Sequence, residues 1–331
     1  MTTIMAPPAQ PAWFGTARLI DAGLVRAATP WRQLIAALRE AFGPEMVVPP
    51  RHHHALGVDA ALPPVLLIMP AWRPGRYVGV KLVHVAGDNQ HHGMPNLHSL
   101  YVLSDATTGS LLAIIDGGEL TVRRTAAVSA LAASFLARPD ASRLLVVGTG
   151  RLAPQLAAAH AAVRTYAAIG VWGRDAARAA QTVGTLEREH GLIASVVTDL
   201  EGAVRRADVV SCATASTVPL VRGEWLAPGA HLDLVGGFTP RMREADAAAV
   251  ASAEIWIDTP VALDEAGDLM VPLKHGIITP DAIRGHLAHL CDGSRSGRHR
   301  PDAITLFKSV GSAQADLAAA ELIVARLNAG N

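Results

Sequence analysis

Arg143-Leu-Leu-Val-Val-Gly-Thr-Gly-Arg-Leu-Ala153 is the stretch whose reading decides the fold. Four apolar residues, Leu144 to Val147, lead into Gly148-Thr149-Gly150, and an alanine-rich segment follows. This order predicts a strand, a tight turn and a helix N-terminus. Glycine is needed where the turn takes dihedrals closed to other residues and where the backbone comes against a pyrophosphate. The free N–H groups of the first helical turn receive that charge. Ala153 stands at the third position of this G-x-G-x-x-G/A pattern. Glycine turns that serve packing alone show the same pattern, so its weight depends on its surroundings.

Downstream, strand-like runs at 168–172, 194–197, 209–212, 231–235 and 255–257 alternate with helical stretches such as 176–190. Alternation of this kind predicts a parallel sheet with helices on both faces, in which the glycine turn is the first crossover. Upstream the pattern differs. A helical stretch, with Ile35, Leu38 and Phe42 at helical spacing, lies within 19–42, opened by Pro30 and closed by Gly43-Pro44. Strand-like runs at 65–69, 77–85, 100–103 and 111–115 then follow one another across turn signals, which predicts a mostly antiparallel sheet. An alanine-rich helix at 125–137 and a linker at 138–140 join the two parts, and a strand with a further helix closes the chain from 304. The expected fold class is α/β: a Rossmann-type doubly wound parallel sheet domain plus a discontinuous α+β domain. The expected boundaries are 1–137 together with 304–331 for the outer domain, and 138–303 for the dinucleotide domain.

Half of the 331 residues are hydrophobic and 18% are charged, which supports buried cores and argues against disorder. Basic and acidic residues balance at 29 each, so nothing points to nucleic acid or an anionic membrane. Cys212 and Cys291 form no metal-like spacing and fit a reducing compartment. Residues 1–15 read as a loose leader rather than a signal peptide, and no apolar run reaches the length of a membrane span. The expectation is a cytoplasmic protein.

Three of the 29 basic residues are lysines, Lys81, Lys274 and Lys308. Lys81 lies in the apolar run 77–85, where alternation sets it on one face with Tyr77, Gly79, Val83 and Val85. A cation there is costly unless it meets an anion or a cavity, although a lysine guarding an edge strand is the plainer reading. Arg123-Arg124-Thr125 opens the linker helix, and with Lys81 and Arg51 would form an anion-binding floor, each arginine alone reading as a surface charge. Val171-Trp172-Gly173-Arg174-Asp175 ends the second strand of the crossover. Arg174 there suits the 2′-phosphate of NADP(H) and Asp175 a helix cap, so NADPH is favoured over NADH. His52-His53-His54, His91-His92 and His98 carry no metal-binding spacing, so no metal is expected. His54 and His98 are weaker candidates near a substrate.

The sequence resembles the ornithine cyclodeaminase/mu-crystallin family over nearly the whole chain after residue 45. The resemblance rests on Leu67-Ile-Met-Pro-Ala71, Gly79-Val-Lys81, Asp116-Gly117, Leu120-Thr-Val-Arg-Arg-Thr-Ala-Ala-Val-Ser-Ala130, Val147-Gly-Thr-Gly150, Glu265-Ala-Gly-Asp268 and Phe307-Lys-Ser-Val-Gly311. It implies that the outer domain binds substrate and forms a homodimer. It implies further that Arg51, Lys81 and Arg124 hold a substrate carboxylate, while Thr125, Gly148, Thr149, Gly150, Arg151, Gly173, Arg174, Asp175, Thr214 and Val310 line the dinucleotide. Cyclodeaminases of the family carry an aspartate in the loop after the fifth Rossmann strand, and here Phe238 aligns with it. Phenylalanine takes no proton, so deamination lacks its base while imine reduction does not need one. The resemblance is therefore to the family's Δ1-pyrroline-2-carboxylate reductases, which act on small cyclic imino acids with NADPH in preference to NADH. Lys81, and more weakly His54, are candidate proton donors. The rivals are an ornithine cyclodeaminase, an alanine-type dehydrogenase and, from another class, a mu-crystallin-like NADPH-dependent binding protein.

Overall fold

A computed structural model describes residues 17–43, 45–57, 64–87, 89 and 93–329. The expected leader and His91-His92 lie outside the described residues. The chain begins with β1 (Arg18–Ile20), α1 (Ala22–Ala28), α2 (Trp31–Ala41), β2 (His52–Ala55), β3 (Val65–Arg73), β4 (Tyr77–Val85), β5 (Leu97–Asp105) and β6 (Leu111–Asp116). Then come α3 (Gly117–Leu136), β7 (Arg143–Val147), α4 (Leu152–Val163), β8 (Ala168–Trp172), α5 (Ala176–His190), β9 (Ser195–Val197), α6 (Leu200–Arg206) and β10 (Val209–Cys212). The last part holds β11 (His231–Leu234), α7 (Ala247–Ala251), β12 (Ala253–Ile257), α8 (Ala262–Glu265), α9 (Gly267–Lys274), β13 (Ile283–His286), α10 (Leu287–Cys291), β14 (Ile304–Lys308) and α11 (Ala313–Ala329). Two compact units result: residues 1–28, 45–121 and 316–331 form the first, and 29–44 with 122–315 the second.

The first unit carries a six-stranded sheet in the order β1-β6-β5-β4-β3-β2. Strands β2 to β6 pair antiparallel, and β1 joins β6 in parallel. Along β4, Gly79, Lys81 and Val83 are buried while Leu82 and His84 are exposed, the period-two alternation of a sheet with one covered face.

The second unit is an eight-stranded sheet, ordered β13-β12-β14-β11-β10-β7-β8-β9, with every described pair parallel. Its two faces have separate cores. Leu145, Val147, Val210, Leu232 and Leu306 pack with Val204 of α6 and Val250 of α7. Leu144, Val146, Ile169 and Val171 pack with Ala157 of α4 and Leu186 of α5. Neighbouring residues of β7 thus point into different cores, as a doubly wound sheet requires. Among the described residues no helix is long and apolar enough to cross a membrane.

The helix expected between Pro30 and Gly43-Pro44 is α2, with Pro30 at its N-cap, and β1 and α1 precede it. Three other expectations need correction. The linker helix starts at Gly117 rather than 125, because Asp116 Oδ1 accepts the Glu119 N–H at 2.7 Å and caps a first turn that its glycine pair disguises. The strand of the tail, β14, belongs to the parallel sheet, where it pairs with β11 and β12 instead of joining the outer domain. The expected boundaries at 137 and 303 accordingly fall elsewhere, inside or near α3 and α11, each of which contributes to both units.

Candidate functional site

In the second unit the chain runs from β7 outward to β8 and β9, then returns to β10 on the other side of β7. The order reverses at β7 and β10, and ligands of open α/β sheets bind at the carboxyl ends of the strands where this happens. Gly148 lies there with φ +131°, and a Cβ on it would sit 2.5 Å from Ala213 O and 3.3 Å from Thr214 Cγ2. Any side chain would therefore push apart the turns after β7 and β10. Its N–H donates to Trp172 O at 2.8 Å, and a Cβ on Gly173 would strike Thr149 Cγ2 at 2.4 Å. Gly148, Thr149, Gly173 and Thr214 are thus one packed group. A Cβ on Gly150 meets nothing within 4 Å, so the backbone before α4 faces open space. Arg151 occupies the N-cap of α4, whose first-turn N–H groups suit an anion.

Arg174 and Asp175 are exposed after β8. Asp175 accepts the N–H groups of Ala177 and Arg178, capping α5. Thr125 is buried in α3, and Val310 is half-buried after β14, where its N–H donates to Asp258 Oδ2 at 3.0 Å. The same carboxylate oxygen accepts the Gly311 N–H at 2.7 Å and the Ser309 hydroxyl at 3.0 Å. Gly311, at φ +84°, lies against Arg124: a Cβ on it would be 2.7 Å from the guanidinium. Arg124 is 4% exposed. Asp258, which sequence reasoning passed over, thus shapes the loop that carries Val310 and backs Arg124.

Arg123 serves packing. Its Nε donates to Thr29 Oγ1 at 3.1 Å, its Nη1 to Gln155 Oε1 at 3.3 Å, and its guanidinium lies 3.4 Å from the Trp31 ring centroid.

In the first unit Lys81 is 2% exposed, and its Nζ lies 2.7 Å from Asp316 Oδ2 and donates to Thr121 Oγ1 at 3.4 Å. Asp316 is fully buried on α11. The β3–β4–β5 register sets Met69, Lys81 and Tyr101 in one row on the covered face. Arg51 is half-buried and immediately precedes β2, whose His52 opposes Ile68. Burial, together with the Asp316 and Glu321 carboxylates, pushes the Tyr101 phenol well above its ordinary range. Asp316 is the second residue that sequence reasoning missed. An acid in the first turn of the alanine-rich α11 was the available signal, by the argument that singled out Lys81.

The same register corrects the reading of His54. Directly opposed residues share a face, and His54 opposes Leu66, which opposes the exposed His84. His54 is therefore on the sheet face away from Lys81, exposed, with its ring stacked near that of His52. His98 opposes His84 on that outer face as well. Among the described residues no group of three or more metal-binding side chains comes together.

The loop after β11 contains one acid between Leu234 and Glu244, namely Glu244 itself. Its carboxylate is buried and accepts the N–H groups of Thr214, Gly236 and Gly237. Phe238 is half-buried on the same loop. Lys308, on β14, donates to Asp268 Oδ2 at 3.1 Å, and both are fully buried. No base is left free on this loop to activate water.

The profile of the ornithine cyclodeaminase/mu-crystallin family matches residues 33–331. A Δ1-pyrroline-2-carboxylate reductase of Colwellia psychrerythraea is 33% identical over 94% of this chain and 99% of its own length. Thermococcus litoralis Δ1-pyrroline-2-carboxylate reductase, solved in complex with NADH and L-proline, superposes with a TM-score of 0.88 at 28% identity, covering 94% of this chain and 98% of that one. An archaeal alanine dehydrogenase dimer with bound NAD gives 0.87 at 27% identity, covering 95% and 97%.

Proposed function

The chain belongs to the ornithine cyclodeaminase/mu-crystallin family, and from that membership we propose that it is an NADPH-dependent reductase of cyclic imino acids. Δ1-Pyrroline-2-carboxylate is the substrate, yielding L-proline, and Δ1-piperideine-2-carboxylate is accepted to give L-pipecolate. The observation that carries this choice within the family is the loop after β11, which holds Phe238 and no acid except the fully engaged Glu244.

The residues around Gly148 fit a dinucleotide: a turn closed to side chains, an open backbone at Gly150 and a helix start behind it. Gly148, Thr149, Gly150, Arg151, Gly173, Asp175, Thr214, Thr125 and Val310 hold the cofactor, and Arg174 receives the 2′-phosphate that distinguishes NADPH. When bound, the reduced nicotinamide supplies a hydride. Arg51, Lys81 and Arg124 take the substrate carboxylate, which fixes the imine carbon in place. Lys81 Nζ, paired with Asp316 at 2.7 Å, carries the proton for the imine nitrogen.

The protein acts as a homodimer, in keeping with the exposed Leu82 and Leu100, which oppose each other on the outer face of the six-stranded sheet. Both cysteines are free thiols, which suits the cytoplasm. The test is oxidation of NADPH and NADH with Δ1-pyrroline-2-carboxylate, beside an ammonia assay with ornithine. NADPH-preferring turnover to L-proline without ammonia is expected. Ammonia from ornithine would return the chain to the cyclodeaminases, and alanine-dependent reduction of NAD would favour a dehydrogenase. Tight ligand binding without turnover would favour a binding protein.

A further inference from the structure

We propose that Glu244 is a positioning residue for the dinucleotide, clamping the turns after β10 and β11 into the arrangement on which the Gly148 turn packs. This rests on reading the Gly148 turn as the cofactor site, and not on the identity of the imine.

Glu244 Oε1 accepts the Thr214 N–H at 2.6 Å and the Thr214 hydroxyl at 3.0 Å. Its Oε2 accepts the N–H groups of Gly236 at 2.7 Å and Gly237 at 3.2 Å. Two turns from different strands thus converge on one carboxylate. The fit is close: a Cβ on Gly236 would lie 2.1 Å from Thr214 O and 2.6 Å from Glu244 Oε1. Thr214 in turn is the residue, with Ala213, against which Gly148 rests. The path from Glu244 to the nucleotide turn is therefore two contacts long.

Asp268, at the start of α9, and Lys308, at the end of β14, complete the clamp. Asp268 Oδ1 accepts the N–H groups of Glu244 and Ala245 at 2.7 and 3.1 Å, fixing the backbone that carries the glutamate. Lys308 Nζ bonds Asp268 Oδ2 and lies 3.9 Å from Glu244 Oε2. Cys212, at the end of β10, also feels the Glu244 carboxylate, and burial raises its thiol well above the ordinary range. With four donors on two carboxylate oxygens, an acid proton displaces one of these bonds or reverses the one to the Thr214 hydroxyl, and either change weakens the hold on the two turns. Burial raises the Glu244 carboxyl to about 7, with Asp268 adding to the rise and Lys308 and the backbone N–H groups opposing it. The clamp consequently loosens on the acid side of neutrality.

The experiment uses the full chain. The dissociation constant of NADH, chosen because it lacks a titrating 2′-phosphate, is measured by fluorescence without substrate from about pH 6 to about pH 8.5. Amide exchange at Thr214, Gly236 and Gly237 is followed in the nucleotide-free protein. The expected result is weaker binding and, relative to the intrinsic exchange rate at each pH, lower protection of these amides as pH falls. In Glu244→Gln, affinity at pH 8 drops about tenfold or more, the pH slope disappears and the three amides exchange faster. Where the imine turns over, KM for the nucleotide rises while kcat changes less than about threefold. Binding within twofold of the parent, or an unchanged pH slope in the variant, overturns the proposal. If the variant does not fold, flat affinity and flat protection in the parent overturn it. A silent imine assay with nucleotide binding intact sinks only the substrate reading, whereas a chain that binds neither nucleotide sinks both.

Discussion

Lys81→Met keeps most of the side-chain volume on β4 and removes the ammonium that lies 2.7 Å from Asp316 Oδ2. The two side chains are 2% and 0% exposed, so the carboxylate left behind is shielded from water. At that separation the attraction is about 6 kcal/mol for an effective dielectric of about 20. Desolvation offsets part of it, and breaking such a pair from one side costs about 3–5 kcal/mol. The variant limits its loss by binding a proton at Asp316. Its folded state then holds the proton more tightly than its unfolded state, so its stability declines as pH rises from about 4 toward neutrality. The deficit against the parent is thus smallest in acid and largest near pH 8. Lys81→Met combined with Asp316→Leu removes both charges and recovers most of the loss. Urea unfolding of the parent, both single variants and the double variant, at about pH 4.5 and pH 8, gives the coupling directly. A loss below about 1 kcal/mol at pH 8 in Lys81→Met, or a double variant weaker than that single one, would refute the electrostatic account. Turnover separates chemistry from structure: imine reduction falls at least about 10²–10⁴-fold in single and double variants alike. Nucleotide affinity stays within about threefold.

Further outcomes follow from the dinucleotide unit. Gly148→Ala forces a side chain into φ +131° and to 2.5 Å from Ala213 O. A loss of about 1–3 kcal/mol in stability and weaker binding of both nucleotides are expected by calorimetry, and near-parental values would show that the turn is not rigid. Arg174→Ala should weaken NADPH about 10–100-fold, the worth of a charge-assisted hydrogen bond, and leave NADH within twofold. An unchanged ratio would remove Arg174 from cofactor choice. Asp258→Asn weakens the three bonds that fold 309–311. It should raise KM for the imino acid more than it lowers kcat, and equal KM values would separate this loop from Arg124.

Much of the second unit was legible in sequence because its signals are local. The glycine turn, the apolar run of β7 and the 176–190 helix each announce themselves within a few residues, and α5 begins after Asp175 and ends at Gly191 as its caps dictate. Lys81 was legible for a related reason, since a rare cation in an apolar strand contradicts its neighbours. The partner that explains it, Asp316, lies 235 positions away on another element, and no local pattern joins them. Parallel pairing is equally silent, so β14 showed as a strand without showing which sheet it enters. His54 failed differently. Its face depends on register, which β2 acquires only by pairing with β3.

The position of β14 between β11 and β12 has a consequence for how the chain is made. Residues 231–257 supply two strands that never touch each other and wait for a third, 304–308, to fill the gap between them. The segment 316–331, which closes the other unit, emerges later still. During synthesis, therefore, neither unit can finish until the residues from 304 onward that it uses have left the ribosome, and two unsatisfied edges stay open to intermolecular pairing meanwhile. A chain stopped short of 304 should not accumulate as a smaller soluble domain but aggregate or be degraded, and refolding of the intact protein should be slow and sensitive to concentration.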